Sequence, residues 1–401
     1  MHNKELIATF FSSPQNVGID DIGISGGGRI FIESIKRWAD TINSITILTD
    51  EPGEKLLIKY LADLSKFDIK KISVPKYLYN SLFLLFLWKT LAGIYLTIKT
   101  TRLLKHNAIV FSTSDIFPDL LPAYFAKLVN RKIKWVSAFY FFASNPFTKE
   151  FPYKGLNARI RGAIYYYTQR ICYKLIKARS DYVVACNEID RKIFIKDGYN
   201  GNSICPIYGG VDLSIANSVP SPDKIVYDAV FMARLHAQKG PMIAVKAWRE
   251  LLKFKKDAKL ALIGNGPEEE SIRKYICKHN LNNNVTMMGF MDGVAKYEVL
   301  KASKVFLHAS VYETGGMAAA EGMAAGLPVV AFDHEGFDYC YPKGMVRIKS
   351  VGDYKAYAEG IKMLLENKSK FDIIKNEAKE FSKSWDWDIK AKYLLNELIN
   401  C

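Results

Sequence analysis

Two glutamates eight positions apart are the clearest chemical feature of the sequence: Glu313 and Glu321, in YETGGMAAAEGMAAGLPVV. Glu313 follows a predicted strand, and Glu321 lies in an Ala-rich helix that Gly326 and Pro328 end. Gly315–Gly316 between them would let backbone amides approach a ligand, and the helix start offers unpaired N–H groups to an anion. Such carboxylates can accept hydrogen bonds from sugar or ribose hydroxyls. A glycosidase with paired carboxylates is the rival interpretation, although its two acids typically come from separate elements.

Two cations lie upstream, in FMARLHAQKG. Arg234 directly follows a predicted strand, and Lys239 comes five positions later, beside Gly240. Cations on such a loop suit a diphosphate, because they offset the charge that develops when this group departs. Taken alone, the pair is more typical of a solvated loop. We expect neither cation to support the core, so folding should not depend on them.

Two glycine-rich segments are candidates for phosphate loops. SGGGR (Ser25–Arg29) lies between a predicted strand and a predicted helix, where a loop that approaches phosphate or sugar belongs. It lacks the GxGxxG spacing of dinucleotide loops. Gly264–Asn265–Gly266 is better interpreted as a turn.

Strands and helices must position these residues, and they alternate along the chain. Apolar runs predict strands at Leu6–Phe11, Ile45–Leu48, Ile109–Ser112, Lys134–Phe139, Tyr182–Ala185, Ala229–Met232, Lys259–Ile263, Val285–Met288, Val305–His308 and Pro328–Phe332. Such runs with helical crossovers indicate parallel sheets covered on both faces. About 200 residues lie on each side of a turn-rich segment, Gly198–Gly210. We therefore expect an α/β protein of two doubly wound, Rossmann-like domains that face each other across a cleft.

Composition and charge limit the class of protein. The 401 residues are 49% apolar and carry a net charge of +15, and six cysteines without a CxxC pair favour free thiols in a reducing compartment. The N-terminus lacks the features of a signal peptide, which favours an intracellular protein. Residues 51–200 hold 25 basic and 11 acidic side chains. This field would attract nucleic acid or an anionic membrane face, and the alternative is a lysine-rich but merely solvated surface.

One apolar segment, Tyr77–Ile98, approaches the length of a membrane span. Lys89 at its middle would cost about 3 kcal/mol at a bilayer centre. An amphipathic element at the interface suits the flanking Lys76, Lys99 and Arg102 better. A helix pair buried in the N-terminal domain is the alternative. The Tyr/Arg mixture of Arg159–Arg179 likewise fits a helix on headgroups or a tyrosine-rich core helix.

Taken together, these motifs resemble the retaining GT-B-fold glycosyltransferases of family 4, the glycosyl transferases of group 1. The matching segments are GGVD at 209–212, ARLHAQKG, LIGNGP at 262–267, VTMMGF at 285–290 and the E-x7-E element ending in GLPVV. SGGGR and RSDYVVACN at 179–187 extend the likeness into the first half. The terminal WDWDIKAKYLLNEL is similar to a helix that crosses back onto the first domain. Where the family often has a histidine, after the strand Lys134–Phe139, this chain continues with YFFASNPF.

The resemblance implies a role for each candidate residue. Arg234 and Lys239 would bind the donor diphosphate and stabilise the departing nucleotide, and Glu313 would contact the donor sugar hydroxyls. The remaining residues implied in substrate binding are Gly315, Gly316 and Met317 near the sugar, Glu321 at the ribose, and Gly26, Gly27 and Gly28 at the phosphates. No metal is implied, because the two cations replace one and none of the six histidines has ligand spacing to another.

We therefore expect an acceptor domain at 1–205, a nucleotide-sugar domain at 206–384 and a returning helix at 385–401. The expected activity is retaining transfer of a sugar from a nucleotide-diphosphate sugar to a hydroxyl acceptor. That acceptor is expected to be lipid-linked, in glycan or polysaccharide assembly at the inner, cytoplasmic face of an anionic membrane, without nucleic acid as a partner. The alternatives are a GT-B-like nucleotide-sugar epimerase and a catalytically silent protein that binds nucleotide sugars or a membrane surface.

Overall fold

The structure is a computed structural model, and it describes residues 4–11, 24–102, 104, 108–148, 151 and 155–400. The chain divides into two compact units. Unit 1 comprises Met1–Gly209 and Asp388–Cys401, and unit 2 comprises Gly210–Trp387. The expected boundaries after residues 205 and 384 lie within four residues of these.

Unit 1 is built on a seven-stranded parallel sheet in the order β3-β2-β1-β4-β5-β6-β7. Its strands are β1 (Glu5–Phe10), β2 (Ser44–Thr49), β3 (Asp68–Lys71), β4 (Ile109–Ser112), β5 (Lys134–Phe139), β6 (Tyr182–Ala185) and β7 (Ile204–Pro206). Its helices are α1 (Gly26–Trp38), α2 (Glu51–Tyr60), α3 (Leu82–Thr101), α4 (Phe117–Val129), α5 (Leu156–Arg179) and α6 (Glu188–Lys196).

Unit 2 has a six-stranded parallel sheet in the order β10-β9-β8-β11-β12-β13. Its strands are β8 (Tyr227–Met232), β9 (Leu260–Ile263), β10 (Val285–Gly289), β11 (Ser303–His308), β12 (Val329–Phe332) and β13 (Met345–Ile348). Its helices are α7 (Leu213–Ser218), α8 (Pro241–Leu251), α9 (Glu269–Lys278), α10 (Gly293–Lys301), α11 (Met317–Ala324), α12 (Phe337–Cys340), α13 (Tyr354–Glu366) and α14 (Lys368–Ser382).

The final helix, α15 (Trp387–Asn400), belongs to unit 1 from Asp388 onward. The indole N–H of Trp38, on α1, donates to the carbonyl of Ala391 at 2.8 Å. The hydroxyl of Tyr182, on β6, donates to the carboxylate of Glu397. The last helix therefore packs on elements from the first half of the chain.

All ten predicted strands are present. Nine of them are buried over most of their length, because helices cover both faces of a parallel sheet, whereas β10 lies at a sheet edge and is buried at Val285. Three further strands, β3, β7 and β13, were not predicted, and each lies at a sheet edge. An edge strand pairs on one side alone and needs no long apolar run. The turn-rich segment Gly198–Gly210 contains one of these strands, β7.

Tyr77–Ile98 becomes a short 3-10 turn followed by α3. Helix α3 buries Leu85, Lys89 and Gly93 but exposes Phe83 and Leu91. Within the described ranges, α3 is the helix with the length and apolar composition to cross a membrane. In its most apolar stretch of 18 residues, 28% is buried. One side of α3 therefore packs against the rest of unit 1, and the other side is exposed.

Candidate active site

Two loops of unit 2 carry the predicted catalytic residues, and both begin where neighbouring strands of the sheet end. Strands β8 and β11 pair in parallel, so their carboxyl ends meet at one edge. Arg234 and Lys239 follow β8, and Glu313 follows β11. The two loops are tied together, because the amide N–H of Val311 donates to the carbonyl of Gln238 at 2.9 Å. The fold thus brings Lys239, on the loop that also carries Arg234, to the first glutamate.

Glycines allow this close approach. Gly240 ends the first loop with a φ of +66°, and a Cβ there would lie 2.1 Å from the carbonyl oxygen of Ala309. A Cβ on Gly264 would lie 2.0 Å from the carbonyl oxygen of Ala233, directly before Arg234. The turn around Gly264 therefore serves as packing support for the loop that carries Arg234.

Lys239 and Glu313 form an ion pair, with Nζ 2.6 Å from Oε2. The Glu313 side chain is 7% exposed, and the Oγ of Ser310 and the Nε2 of His308 each lie 3.2 Å from the same oxygen. Its other oxygen, Oε1, accepts from the amide N–H of Thr314 at 3.1 Å. Glu313 is thus fixed by groups from both loops.

The surroundings of Glu313 keep it ionised. Burial alone would raise its pKa, but the ammonium of Lys239 and the imidazole of His308 hold the pKa well below its usual value. A carboxyl group in this state can accept hydrogen bonds but cannot donate a proton near neutral pH. This contact also changes the expectation that folding is independent of Lys239, because the ammonium balances a buried carboxylate.

Arg234 is exposed, and its guanidinium has no acidic partner in the described part of the chain. It lies beside His236, whose pKa is lowered by burial and by the charges of Arg234 and Lys239. The loop therefore presents one unneutralised cation and one cation shared with Glu313. Such an arrangement can receive an anionic group.

Gly315 and Gly316 lead into α11, and Met317 is its first residue. Gly315 and Gly316 are buried, and Met317 is half-buried. Gly316 has a φ of +66°, and its carbonyl accepts from the hydroxyl of Tyr341 at 2.6 Å. The start of α11 is thus held rigidly beside Glu313.

Glu321 has a buried cationic partner that the motif did not reveal. The Nζ of Lys296, on α10, lies 2.8 Å from Oε1 of Glu321 and 3.0 Å from Oδ1 of Asp292. Burial would lower the pKa of Lys296, but the two carboxylates raise it above its usual value. Lys296 therefore remains charged and fixes the orientation of Glu321.

Gly26, Gly27 and Gly28 form the first turn of α1 in unit 1, and Ser25 caps the helix by accepting from the amide of Gly28 at 3.1 Å. A Cβ on Gly27 would lie 2.2 Å from the ring of Tyr140, whose hydroxyl donates to the carbonyl of Gly27 at 3.3 Å. Tyr140 directly follows β5, where the family often has histidine. Packing against Tyr140 therefore accounts for a glycine at position 27. Its role at the donor phosphates stays a prediction.

His308 and Lys296 were both missed as site residues. A signal existed for each: His308 is the last residue of β11, at the strand end where ligands bind. Lys296 stands four residues after Asp292, the spacing of a helical ion pair. In the described residues, no three His, Cys, Asp or Glu side chains cluster in a way that could hold a metal ion.

Comparison with known proteins finds a family match for the part of the chain that carries Arg234, Lys239, Glu313 and Glu321. Residues 218–381 match the family model "Glycosyl transferases group 1". The chain is 25% identical to the uncharacterized glycosyltransferase MJ1069 of Methanocaldococcus jannaschii over 82% of each chain. It is 27% identical to the alpha-monoglucosyldiacylglycerol synthase of Acholeplasma laidlawii, over 43% of this chain and 41% of that enzyme.

Solved structures share the fold. Anabaena HepE in complex with UDP-glucose superposes with a TM-score of 0.71 over the full length of both chains, at 17% identity. Two parallel sheets with interleaved helices and this similarity in fold confirm the predicted α/β, GT-B fold class. The chain carries a group 1 glycosyltransferase domain and is a glycosyltransferase.

Proposed function

We propose that this glycosyltransferase uses a nucleotide-diphosphate sugar as donor and a hydroxyl group as acceptor, with retention of anomeric configuration. The observation that carries the proposal is the 2.6 Å contact between Lys239 and Glu313, on the loop that also carries the unneutralised Arg234. It provides cations for a diphosphate next to a carboxylate for sugar hydroxyls. The UDP-glucose complex of a protein with the same fold supports this donor class.

The two cations bind the leaving group. Arg234 can pair with the diphosphate directly, whereas Lys239 is shared between Glu313 and the diphosphate. Their charge offsets the negative charge that grows as the sugar–phosphate bond breaks. We propose on this basis that no metal ion or other cofactor is required.

Glu313 acts as a hydrogen-bond acceptor. Lys239 contacts Oε2, whereas Oε1 accepts from the backbone amide of Thr314, so Oε1 is the atom that we propose to accept from a donor hydroxyl. Since its pKa is held low by Lys239 and His308, Glu313 is neither a general acid nor a strong base. We propose a front-face route in which the acceptor oxygen bonds to the anomeric carbon on the face that the phosphate leaves. The acceptor proton passes to the departing phosphate oxygen.

Glu321 is proposed to hold the ribose, because its carboxylate is fixed by Lys296 but its side chain remains 20% exposed. The amides of Gly315, Gly316 and Met317 lie next to Glu313 along the same segment. We propose that they line the sugar site rather than the ribose site.

The acceptor is proposed to be lipid-linked, in glycan or polysaccharide assembly, and the enzyme to bind the cytoplasmic face of the membrane reversibly. The basic excess in residues 51–200 and the exposed apolar residues of α3 support this localisation. The Acholeplasma relative is named for a glycolipid product, which supports a lipid acceptor.

A donor screen tests the proposal. Purified protein is incubated with UDP-, GDP- and ADP-sugars in the presence of EDTA, with and without a lipid extract, and released nucleotide is measured. We expect release to rise several-fold with lipid, and proton NMR of the product to show the donor's anomeric configuration. Donor conversion to a stereoisomer without nucleotide release would instead identify an epimerase, and binding without turnover would identify a silent protein.

A further inference from the structure

Helix α3 buries a row of partly polar residues and exposes its large apolar side chains, the opposite of a normal surface helix. The row that packs on unit 1 has a spacing of four residues: Leu85, Lys89, Gly93, Thr97 and Thr101. Large apolar side chains occupy the outward face instead, with exposed fractions of 41–74%: Leu82, Phe83, Leu84, Leu87, Trp88, Leu91 and Tyr95. A helix in water normally shows the opposite pattern.

The buried polar row is fully accommodated. Lys89, with no exposed side-chain surface, pairs with the equally buried Asp50 at 2.5 Å and donates to the carbonyl of Phe11 at 3.1 Å. The hydroxyls of Thr97 and Thr101 each donate to the carbonyl four residues back, at 2.7 Å. Rotating α3 to hide its apolar face would break these contacts and leave a buried charge unpaired. The apolar face is therefore locked outward.

A second stripe lies on α5. Ile160, Ile164, Tyr167 and Ile171 follow each other at helical spacing and are 50–61% exposed. Helix α4 contacts both α3 and α5. Right-handed crossovers between the parallel strands place all three helices on one face of the sheet. We call the outward sides of α3 and α5 the α3–α5 face.

The charge on the α3–α5 face has one sign. Neither α3 nor α5 contains an acidic residue, and the single acid of α4, Asp119, is buried. Exposed basic residues surround the apolar stripes: Lys76, Lys99, Arg102, Arg161, Arg170 and Lys174. A second copy of this surface would bring like charges together, and nucleic acid would leave the apolar side chains in water. Apolar and aromatic side chains ringed by bases suit the headgroup–acyl boundary of an anionic bilayer.

We infer that the α3–α5 face is the membrane-docking surface of this enzyme, with α3 lying in the plane of an anionic lipid layer. The inference rests on the proposed lipid-linked acceptor and specifies where unit 1 meets the membrane. A 20-residue helix is about 30 Å long and could span a bilayer. Spanning would require α3 to leave unit 1, which would bring Lys89 into lipid and leave the buried Asp50 without its cationic partner. Docking requires neither.

Vesicle co-sedimentation of the full chain tests the inference. The triple variant Phe83→Gln, Leu87→Gln, Leu91→Gln removes the centre of the apolar stripe on α3. The matched control is Ile58→Gln, Ile373→Gln, Ile389→Gln, whose residues are 56–57% exposed on other helices. We expect wild type and control to bind phosphatidylglycerol-containing vesicles at low salt, and the α3 triple to lose at least tenfold in partition. All three should bind phosphatidylcholine vesicles weakly.

Binding of the α3 triple at wild-type strength would overturn the inference, as would absence of vesicle binding by wild type. Self-association of wild type that the triple abolishes, without vesicle binding, would identify a second copy as the occupant instead. UDP affinity and circular dichroism of each variant are measured in parallel. Unchanged values show that a lost membrane contact reflects neither misfolding nor a failed donor site. Failure of donor binding in wild type would reject the proposed function and leave the docking result standing.

Discussion

At the scale of single residues, Glu313 Oε2 lies within 3.2 Å of three side-chain atoms, belonging to Lys239, Ser310 and His308. Lys239 thus serves a buried carboxylate as well as the proposed diphosphate, whereas Arg234 serves no acid in the described part of the chain. The two cations should therefore differ in what they do for stability. Their effects on catalysis should be alike.

We predict that Arg234→Ala and Lys239→Ala each lower kcat/KM by about 10²-fold, because transition-state electrostatics is lost. Lys239→Ala should also lower the free energy of unfolding by about 1–3 kcal/mol, since a buried carboxylate loses its partner. Arg234→Ala should leave it unchanged. Steady-state kinetics and urea unfolding measure the two effects.

The double variant Lys239→Met, Glu313→Gln provides the control. It removes both charges, so the stability lost in Lys239→Ala should largely return while activity remains low. Near-wild-type turnover in both single variants would remove the cations from the mechanism.

Lys296 should act on nucleotide affinity through Glu321. We predict that Lys296→Met weakens UDP binding about tenfold and raises the donor KM with little change in kcat, because Glu321 loses its fixed orientation. Lys296→Arg should restore much of the affinity. Calorimetry measures the UDP affinity of each variant. If Lys296→Met and Lys296→Arg lost the same UDP affinity and the donor KM did not change, Lys296 would have a structural role alone.

The residues found from sequence were those with a motif around them. Glu313, Glu321, Arg234 and Lys239 lie in recognisable segments at strand ends. His308 and Lys296 act through contacts made by chain folding, His308 across a loop and Lys296 from a different helix, 25 residues away from Glu321. A pattern read along the chain does not show which buried polar residues meet.

At the scale of elements, the loop that carries Lys239 depends on the contact of Gly240 with the end of β11. We predict that Gly240→Ala abolishes measurable activity and destabilises the fold by more than Gly326→Ala does. Both glycines have positive φ, which costs an alanine about 1–2 kcal/mol. Only at Gly240 would the added Cβ also strike backbone, since nothing lies within 4 Å of one on Gly326.

Thermal unfolding and donor turnover of the two alanine variants decide this point. Gly326→Ala should keep most of its activity, because the strain there lies beyond α11 and away from the Lys239 loop. Equal effects at the two positions would show that the close packing at Gly240 has no consequence.

Secondary structure was predictable where burial governs composition. Central strands contain apolar runs because helices cover both faces, whereas the edge strand β3 reads DIKK and gave no signal. The orientation of α3 was not predictable, because an apolar run with one lysine fits several environments. The pairing of Lys89 with Asp50, on another element, decides which side of the helix faces the protein.

At the scale of the whole molecule, two buried acids should make stability depend on pH. Burial raises the pKa of Asp115 to about 6 and that of Asp190 to about 7. The folded chain therefore binds more protons than the unfolded chain between about pH 4 and pH 7, so this contribution to stability falls as pH rises. We predict that Asp190→Asn is less stable relative to wild type at pH 5 than at pH 8.

Urea unfolding of the full chain at several pH values measures this difference. Asp223→Asn, at an exposed aspartate, is the control and should follow the wild-type curve in parallel. A constant offset between wild type and Asp190→Asn across the range would contradict the assignment.

The return of α15 to unit 1 has a consequence for the order in which the protein matures on the ribosome. Unit 2 is encoded as an insertion, so all its residues emerge before the helix that completes unit 1 is made. Until that helix is made, the indole of Trp38 and the hydroxyl of Tyr182 lack their hydrogen-bond partners Ala391 and Glu397, which lie more than 200 residues downstream. Unit 2 can reach its native contacts during translation, whereas unit 1 stays incomplete until α15 has been synthesised. The nascent form of unit 1 is therefore the one that would need protection by chaperones.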